Sequence, residues 1–467
     1  MQESQEKLTE LSRMPVGRLL WRYSLPAIVG MIVMSLYNII DRIFIGQGVG
    51  PEAIAGLAIT FPVMNLSAAL GVLVGAGGSA RISILLGAKD PEGASNTLSN
   101  ALVLLTLLAV TYITLFAIFL DPILSAFGAS PVTLPYARDF MVYILPGLLL
   151  TNFAFTFNNF MRVSGYPIKA MLTMFIGAGC NVILAPIFIF GLGWGIKGAA
   201  IATDISMAVS AIFVMRHFFV RGHTLVFGRD KSLYRLRWNI VWPIVAIGAA
   251  PSLVNAAACF INVIINKSLY TYGGDIAVGA AGIFSSYTSL MTMVVVGLCQ
   301  GMQPIIGYNY GAGMYHRLKR TYWLAVAVST VIVTAGMAFG LSAPGLIARA
   351  FSTDAGMIRE TVRCLSISLL CFGVVGFQIV STTLFQSLGK AGASIFLSLI
   401  RQVIFLIPAL LILSSKYGLN GVWASFPVSD LLATVVSAAM IWWQLREINR
   451  LALTSSGQPM PNTESAI

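Results

Sequence analysis

The chain has 467 residues, 57% of them hydrophobic and only 10% charged, with a mean hydropathy of +0.84. Soluble domains carry about 25% charged residues, so the composition excludes a water-soluble protein and indicates an integral membrane one. The net charge of +12 resides mainly in loops between apolar runs, which is the pattern of cytoplasmic loops and not of a nucleic-acid binder.

Residues 1–17 are polar, mixed in charge and lack a cleavable signal pattern, so they read as a cytoplasmic N-terminal segment. Six apolar segments follow at about 18–45, 54–80, 95–119, 135–158, 168–190 and 196–220. After a basic break, six more fall at about 240–268, 278–306, 320–345, 358–385, 393–414 and 420–445. Each is near or above the roughly 20 residues needed to cross a bilayer as a helix, and none alternates as a barrel strand would. The expected organisation is an N-terminal six-helix bundle at 18–220, a cytoplasmic linker at 221–238 and a C-terminal six-helix bundle at 239–447. Residues 448–467 read as a disordered cytoplasmic tail, being rich in Ser, Pro and Gly toward the end.

With the N-terminus inside, 20 of the 29 Lys and Arg residues fall on the inner side and eight on the outer, leaving Arg401 within a span. This bias places both termini in the cytoplasm. The halves also repeat. Gly77 and Gly301, Gly87 and Gly311, Phe127 and Phe351, and Gly165 and Gly389 are each 224 residues apart. Six spans per half is an even number, so the repeats insert in the same orientation, an architecture of secondary transporters. The expected fold is therefore an all-α membrane protein with twelve transmembrane helices in two pseudo-symmetric six-helix bundles.

Among the 17 acidic residues, Asp41, Asp204 and Asp430 lie well within predicted spans. A carboxylate at membrane depth costs roughly 2.5–3.5 kcal/mol on insertion scales, so each marks a site or a structural ion pair. Asp41 follows Tyr37 and Asn38 in span 1, whose Pro26 interrupts the helical hydrogen bonding and marks a hinge. A surface pair with Arg42 is the simpler account of Asp41. Adjacent helix positions point in different directions, which disfavours it. Asn181 in span 5 and Thr203 with Asp204 in span 6 fall at similar depth, consistent with a shared polar pocket. In the other half, Asp430 has two readings: a structural ion pair with Arg401, with Gln402 as a further partner, or a place in a substrate pocket with Arg401, Gln300, Gln303 and Gln378. Five cysteines, all in apolar spans without CxxC spacing, suggest neither disulfides nor a thiolate metal site.

Several stretches carry a resemblance: SLYNIIDRIFIG in span 1, GAGGSARISILLGAKD after span 2, NNFMRVSG at 158–165, NVILAPIFIFGLGWGIKGAAIAT at 181–203 and CQGMQPIIGYNYGAG at 299–313. Taken in this order over residues 15–447, the chain resembles the multidrug and toxic compound extrusion (MATE) family, especially its bacterial DinF-like and MepA-like branch. The resemblance implies a 6+6 helix bundle that exports cationic or amphipathic small molecules in exchange for protons or sodium ions, with no cofactor. It implies ion coupling through Asp41, Asn181 and Thr203, the same three being the oxygen donors for a sodium ion. Tyr37 and Asn38 would then join the substrate site, with Asn158 and Asn159 of the NNFMRVSG stretch. One departure stands out. Many similar proteins read N-x-x-x-D-P in span 5, whereas this chain reads Asn181-Val-Ile-Leu-Ala185-Pro186, and Asp204 is the acid that would restore the missing carboxylate.

An enzyme is disfavoured because His217, His223 and His316 all fall at span ends and no HExxH or nucleotide-binding Gly-rich loop is present. The competing transporter reading is a flippase for lipid-linked saccharides, whose anionic cargo calls for several inward basic residues, against the single Arg401 here. The remaining expectations are a monomer in the bacterial inner membrane, in contact with membrane lipids and with no nucleic-acid partner.

Overall fold

A computed structural model describes residues 2–220, 223–228 and 231–455. The order is α1 (Gln2–Arg13), α2 (Val16–Gly48), α3 (Pro51–Gly87), α4 (Pro91–Ile118), α5 (Leu120–Ala126), α6 (Leu134–Val163), α7 (Pro167–Pro186) and α8 (Gly195–His217). There follow α9 (Trp238–Gly311), α10 (Tyr315–Ser342), α11 (Pro344–Phe351), α12 (Ala355–Ser368), α13 (Val375–Ser387), α14 (Ala391–Leu399), α15 (Ile407–Tyr417) and α16 (Leu419–Ser455). Helices suit a bilayer because each satisfies its own backbone hydrogen bonds where no water can. On α2, Ile32, Leu36, Ile39 and Ile43 form an exposed apolar stripe at helical spacing while Tyr37 is buried.

Among the described residues, ten helices are long and apolar enough to cross a membrane, and α12 with α13 makes an eleventh span bent by 54°. Helix α9 has 74 residues, about 110 Å at 1.5 Å per residue, far beyond one crossing of about 30 Å. It is interrupted at Gly274, whose backbone (φ 62°, ψ −160°) is open only to glycine. Counting α9 as two spans gives the twelve expected.

Three features differ from the expectation. The continuous span expected at 358–385 breaks between Ser368 and Val375, where tighter turns replace helical ones. There Gly373 N–H donates to Met337 Sδ at 3.3 Å, and a Cβ on Gly376 would come within 2.9 Å of Ser329 O, so the chain bends to bring bare backbone against α10. Ile187–Gly191 and Ile400–Leu406 are wide helical turns, continuing α7 and joining α14 to α15. Finally, α16 runs to Ser455, so residues 448–455 of the expected disordered tail are helical; residues 456–467 lie outside the described residues, as do Arg221 and Arg229 of the linker.

The chain forms two compact units: residues 1–10, 22–82 and 91–259, and residues 11–21, 83–90 and 260–467. In the first unit, α6 lies along α8 with α7 beside both. An apolar cluster including Ile45, Tyr112, Phe140, Ile144, Leu148, Ala185 and Ile189 packs between its helices. In the second unit, Trp423 is fully buried with its indole N–H on Glu360 at 2.9 Å, and Tyr322 and Ser381 hydroxyls meet at 2.9 Å. There too Gly87 of α3 and Gly311 of α9 lie at a backbone-to-backbone crossing. A Cβ on either would stand 2.0 Å from a carbonyl oxygen, of Tyr308 or Ile84 respectively.

Candidate functional site

In the first unit the polar residues of three helices meet. Tyr37 and Asp41 are one turn apart, so both project from one side of α2. The Tyr37 hydroxyl faces Thr203 on α8, and the Asp41 carboxylate lies close enough for its charge to act on Tyr37. Asn181 Nδ2 of α7 donates to Thr203 Oγ1 at 3.0 Å, and Thr203 Oγ1 donates to Ala199 O at 3.0 Å. Tyr37, Asn181 and Thr203 are all buried. Asp41 Oδ1 is buried and accepts no hydrogen bond. A buried carboxylate oxygen without a donor is costly and leaves a vacant acceptor for a proton or a cation. The group is all oxygen and amide, the donor chemistry that hard monovalent cations and protons take. Among the described residues, no cluster of three or more His, Cys, Asp or Glu exists for a transition metal. Asn38, one residue round the helix from Tyr37, is exposed and bonds its own Met34 carbonyl at 2.8 Å, apart from this group.

One turn beyond the polar group the surroundings turn apolar. Ile45, four residues after Asp41, and Ala185, four after Asn181, are both fully buried in the apolar cluster. The position where similar proteins carry a second acid is thus a methyl group in hydrocarbon. Asp204 faces elsewhere. Its carboxylate covers Gly147 of α6, where an added Cβ would lie 1.7 Å from Oδ1, and the Gly147 backbone N–H faces it. Asp204 Oδ1 is buried without a hydrogen-bond partner. Consecutive positions on α8 therefore serve different neighbours: Thr203 meets α7 and Asp204 meets α6. Gly147 was not singled out in the sequence, although the Pro146-Gly147 pair inside an apolar span was available as a signal for close backbone approach.

Asn158 and Asn159 serve another group. Arg162, fully buried, donates through its two terminal nitrogens to Asn158 Oδ1 at 2.8 Å and Asn159 Oδ1 at 3.0 Å. The amide nitrogens bond Ala170 O at 2.5 Å and Phe155 O at 3.0 Å. Each of these amides thus gives one N–H and one acceptor position around the end of α6.

In the second unit Arg401 and Asp430 are paired, Nη1 to Oδ1 at 3.6 Å, with Asp430 buried. Of the two readings of Asp430, the ion pair is the one formed. Gln303 and Gln378 are buried, Gln300 half-buried, and Gln378 Oε1 takes no hydrogen bond.

The MatE family profile matches this chain twice, over residues 26–187 and 251–411, segments that begin 225 residues apart. The multidrug export protein MepA of Staphylococcus haemolyticus is 30% identical over 96% of this chain and 97% of its own. A FAD transporter of Shewanella oneidensis is 29% identical over 90% and 92%. Among solved structures, an outward-facing multidrug resistance MATE transporter superposes with a TM-score of 0.88 at 26% identity, covering 94% of this chain and 98% of that one. A MATE structure in a bent conformation gives 0.89 at 27%, over 96% and 99%. The twelve-span fold, the twofold match of the profile and these near full-length likenesses agree: the chain is a multi-pass membrane transporter, not an enzyme, and it belongs to the MATE family.

Proposed function

We propose that this protein is a secondary antiporter of the bacterial inner membrane, with both termini cytoplasmic, exporting cationic or amphipathic small molecules against protons or sodium ions. The observation that carries this reading is the buried Asp41 Oδ1, which accepts no hydrogen bond and whose charge acts on Tyr37, with the bonded Asn181–Thr203 pair on the Tyr37 side. A carboxylate at that depth needs neutralising, and exchange follows if coupling ion and cargo neutralise it in turn. A sodium ion would be held by oxygens of Asp41, Asn181 and Thr203, a proton by Asp41 alone. Asp204, on the Gly147 side of α8, is proposed as a second acid in a separate environment. Pro26 is proposed as the hinge of α2. Similarity to MATE structures in both bent and straight conformations, at TM-scores of 0.89 and 0.87, supports a helix that changes shape. Two six-helix bundles, 18–220 and 239–447, remain the proposed organisation.

Cationic cargo is favoured because the deep basic group, Arg401, is already paired with Asp430, leaving little to hold the anionic headgroup that a lipid-linked saccharide flippase must carry. The test is efflux from a pump-deficient strain over a panel of cationic dyes and drugs plus a flavin dinucleotide, with proton and sodium gradients varied separately. Asp41→Asn keeps the volume and removes the titratable charge, so export should fall to the empty-vector level while membrane insertion is unchanged. Wild-type export from a stably inserted Asp41→Asn protein would overturn the reading.

A further inference from the structure

Away from the polar group, the end of the first unit that carries the N-terminus holds a cluster built around Tyr166, at the join of α6 and α7. The rings of His217, the last residue of α8, and His223, in the connection to α9, stack with centroids 4.1 Å apart and planes 21° apart. Both pack on the Tyr166 ring, at 4.6 and 5.0 Å. Two ammonium groups share that ring: Lys169 of α7 at 4.7 Å from its centroid and Lys7 of α1 at 5.9 Å. The Lys7 stem also packs on the bare backbone of Gly165. The connection itself is held down by Phe227 N–H donating to Phe218 O at 2.9 Å, with both rings on Phe157 of α6.

The protonation state can be read from the acceptor. His223 Nδ1 lies 2.8 Å from the His217 carbonyl, which can only accept, so Nδ1 carries the hydrogen and Nε2 of the neutral ring is the atom left to take a proton. His217 is 94% buried and its Nε2 has no partner, so a proton placed there would gain no acceptor. His223 is only half-buried. Among the described residues, the charged groups on these rings are basic: Lys7 from α1 and Lys169 from α7. Among the described residues, no acid forms an ion pair with any of them.

We propose that the His217–His223 stack is a proton-binding site that latches α1 and the α8–α9 connection onto the unit when neutral and releases them when His223 is protonated. An imidazolium at His223 would stand against a second imidazole and a ring already occupied by two ammonium groups, with no described carboxylate to offset it. Histidine is the side chain that makes this change between about pH 5 and 8. The latch rests on the proposed function only for its consequence. If this end is cytoplasmic and the coupling ion is a proton, acid accumulating there would slow the exchanger.

The test is hydrogen exchange of the full-length protein in nanodiscs, read as protection factors for residues 2–13 and 223–228 at about pH 7.5 and about pH 6. In wild type, protection in both segments should fall roughly threefold or more. His223→Gln retains a donor for the His217 carbonyl but gains no charge, and should stay protected at both pH values. His223→Lys, charged throughout, should be released at both. A wild-type pH response in His223→Gln, or full protection in His223→Lys at about pH 7.5, would overturn the latch. Transport measured on the same variants reads the consequence separately: a latch that responds without any change in transport leaves the site standing and sinks the feedback role.

Discussion

Gly147 has no side chain because the Asp204 carboxylate occupies the space one would need; a Cβ there would lie 1.7 Å from Oδ1. If Asp204 works as a second titrating acid in that position, Gly147→Ala must displace it and Asp204→Asn must remove its charge. Both should lower export by a similar factor, and the double variant should lose no more than either alone, the signature of coupled neighbours. Additive losses in efflux assays would show that the two residues act apart. Ala185→Asp should not restore export to Asp204→Asn, because position 185 is in the apolar cluster and an unpaired carboxylate there costs several kcal/mol. The residue types were legible in the sequence, and the structure bonds Asn181 to Thr203 and sets Tyr37 and Asp41 on one side of α2. Their facing was not legible. On helices that are apolar on every side the period carries no inward mark, and a rotation of 100° per residue separates Thr203, which meets Asn181, from Asp204, which meets Gly147. For the same reason Asn158 and Asn159 read as ligands when they are the cradle of Arg162.

At the scale of elements, α2 is continuous from Val16 to Gly48 with Pro26 inside it. Proline in a helix interior is about 3 kcal/mol less favourable than alanine, so keeping one there suggests that a stiff helix would be a handicap. Pro26→Ala should raise the melting temperature while lowering the maximal transport rate more than it weakens substrate binding. Equal loss of rate and affinity, measured by transport kinetics alongside equilibrium binding, would indicate simple packing. The spans themselves were readable because length and hydropathy are enough to define them. The break between α12 and α13 was not, since it depends on Gly373 and Gly376 meeting α10, a contact between residues far apart in the chain. The join within α9 was readable, since the spans expected at 240–268 and 278–306 flank Gly274, the glycine at which the chain turns.

Over the whole molecule the strongest signal in the sequence was the offset of 224 residues, and the structure gives it physical meaning at one pair. Gly87 and Gly311, related by that offset, meet at one crossing, each against the other helix's backbone. Gly87→Ala and Gly311→Ala should each destabilise the protein by about 1–3 kcal/mol, as overpacking does, and by nearly the same amount because the two environments mirror one another. Thermal unfolding of the purified variants checks this; a large difference between them would mean the mirror relation is local to the backbone. Composition does not reveal that residues 11–21 and 83–90 cluster with 260–467, because compact units follow packing and not the order of the repeats.

The Arg401–Asp430 pair has an electrical consequence. Moving one elementary charge through 100 mV is worth about 2.3 kcal/mol, so a transporter's dependence on voltage is set by the fixed charges that its cargo leaves uncompensated. Asp430, held 3.6 Å from Arg401, brings its own counterion, and that half of the protein presents a dipole where it would otherwise present a charge. In the proposed antiporter, the current carried per cycle would then be set by Asp41 and Asp204. One working acid exchanging a proton for a monovalent cation is electrically silent, whereas two acids loading two protons per cation would draw on the membrane potential as well as the pH gradient.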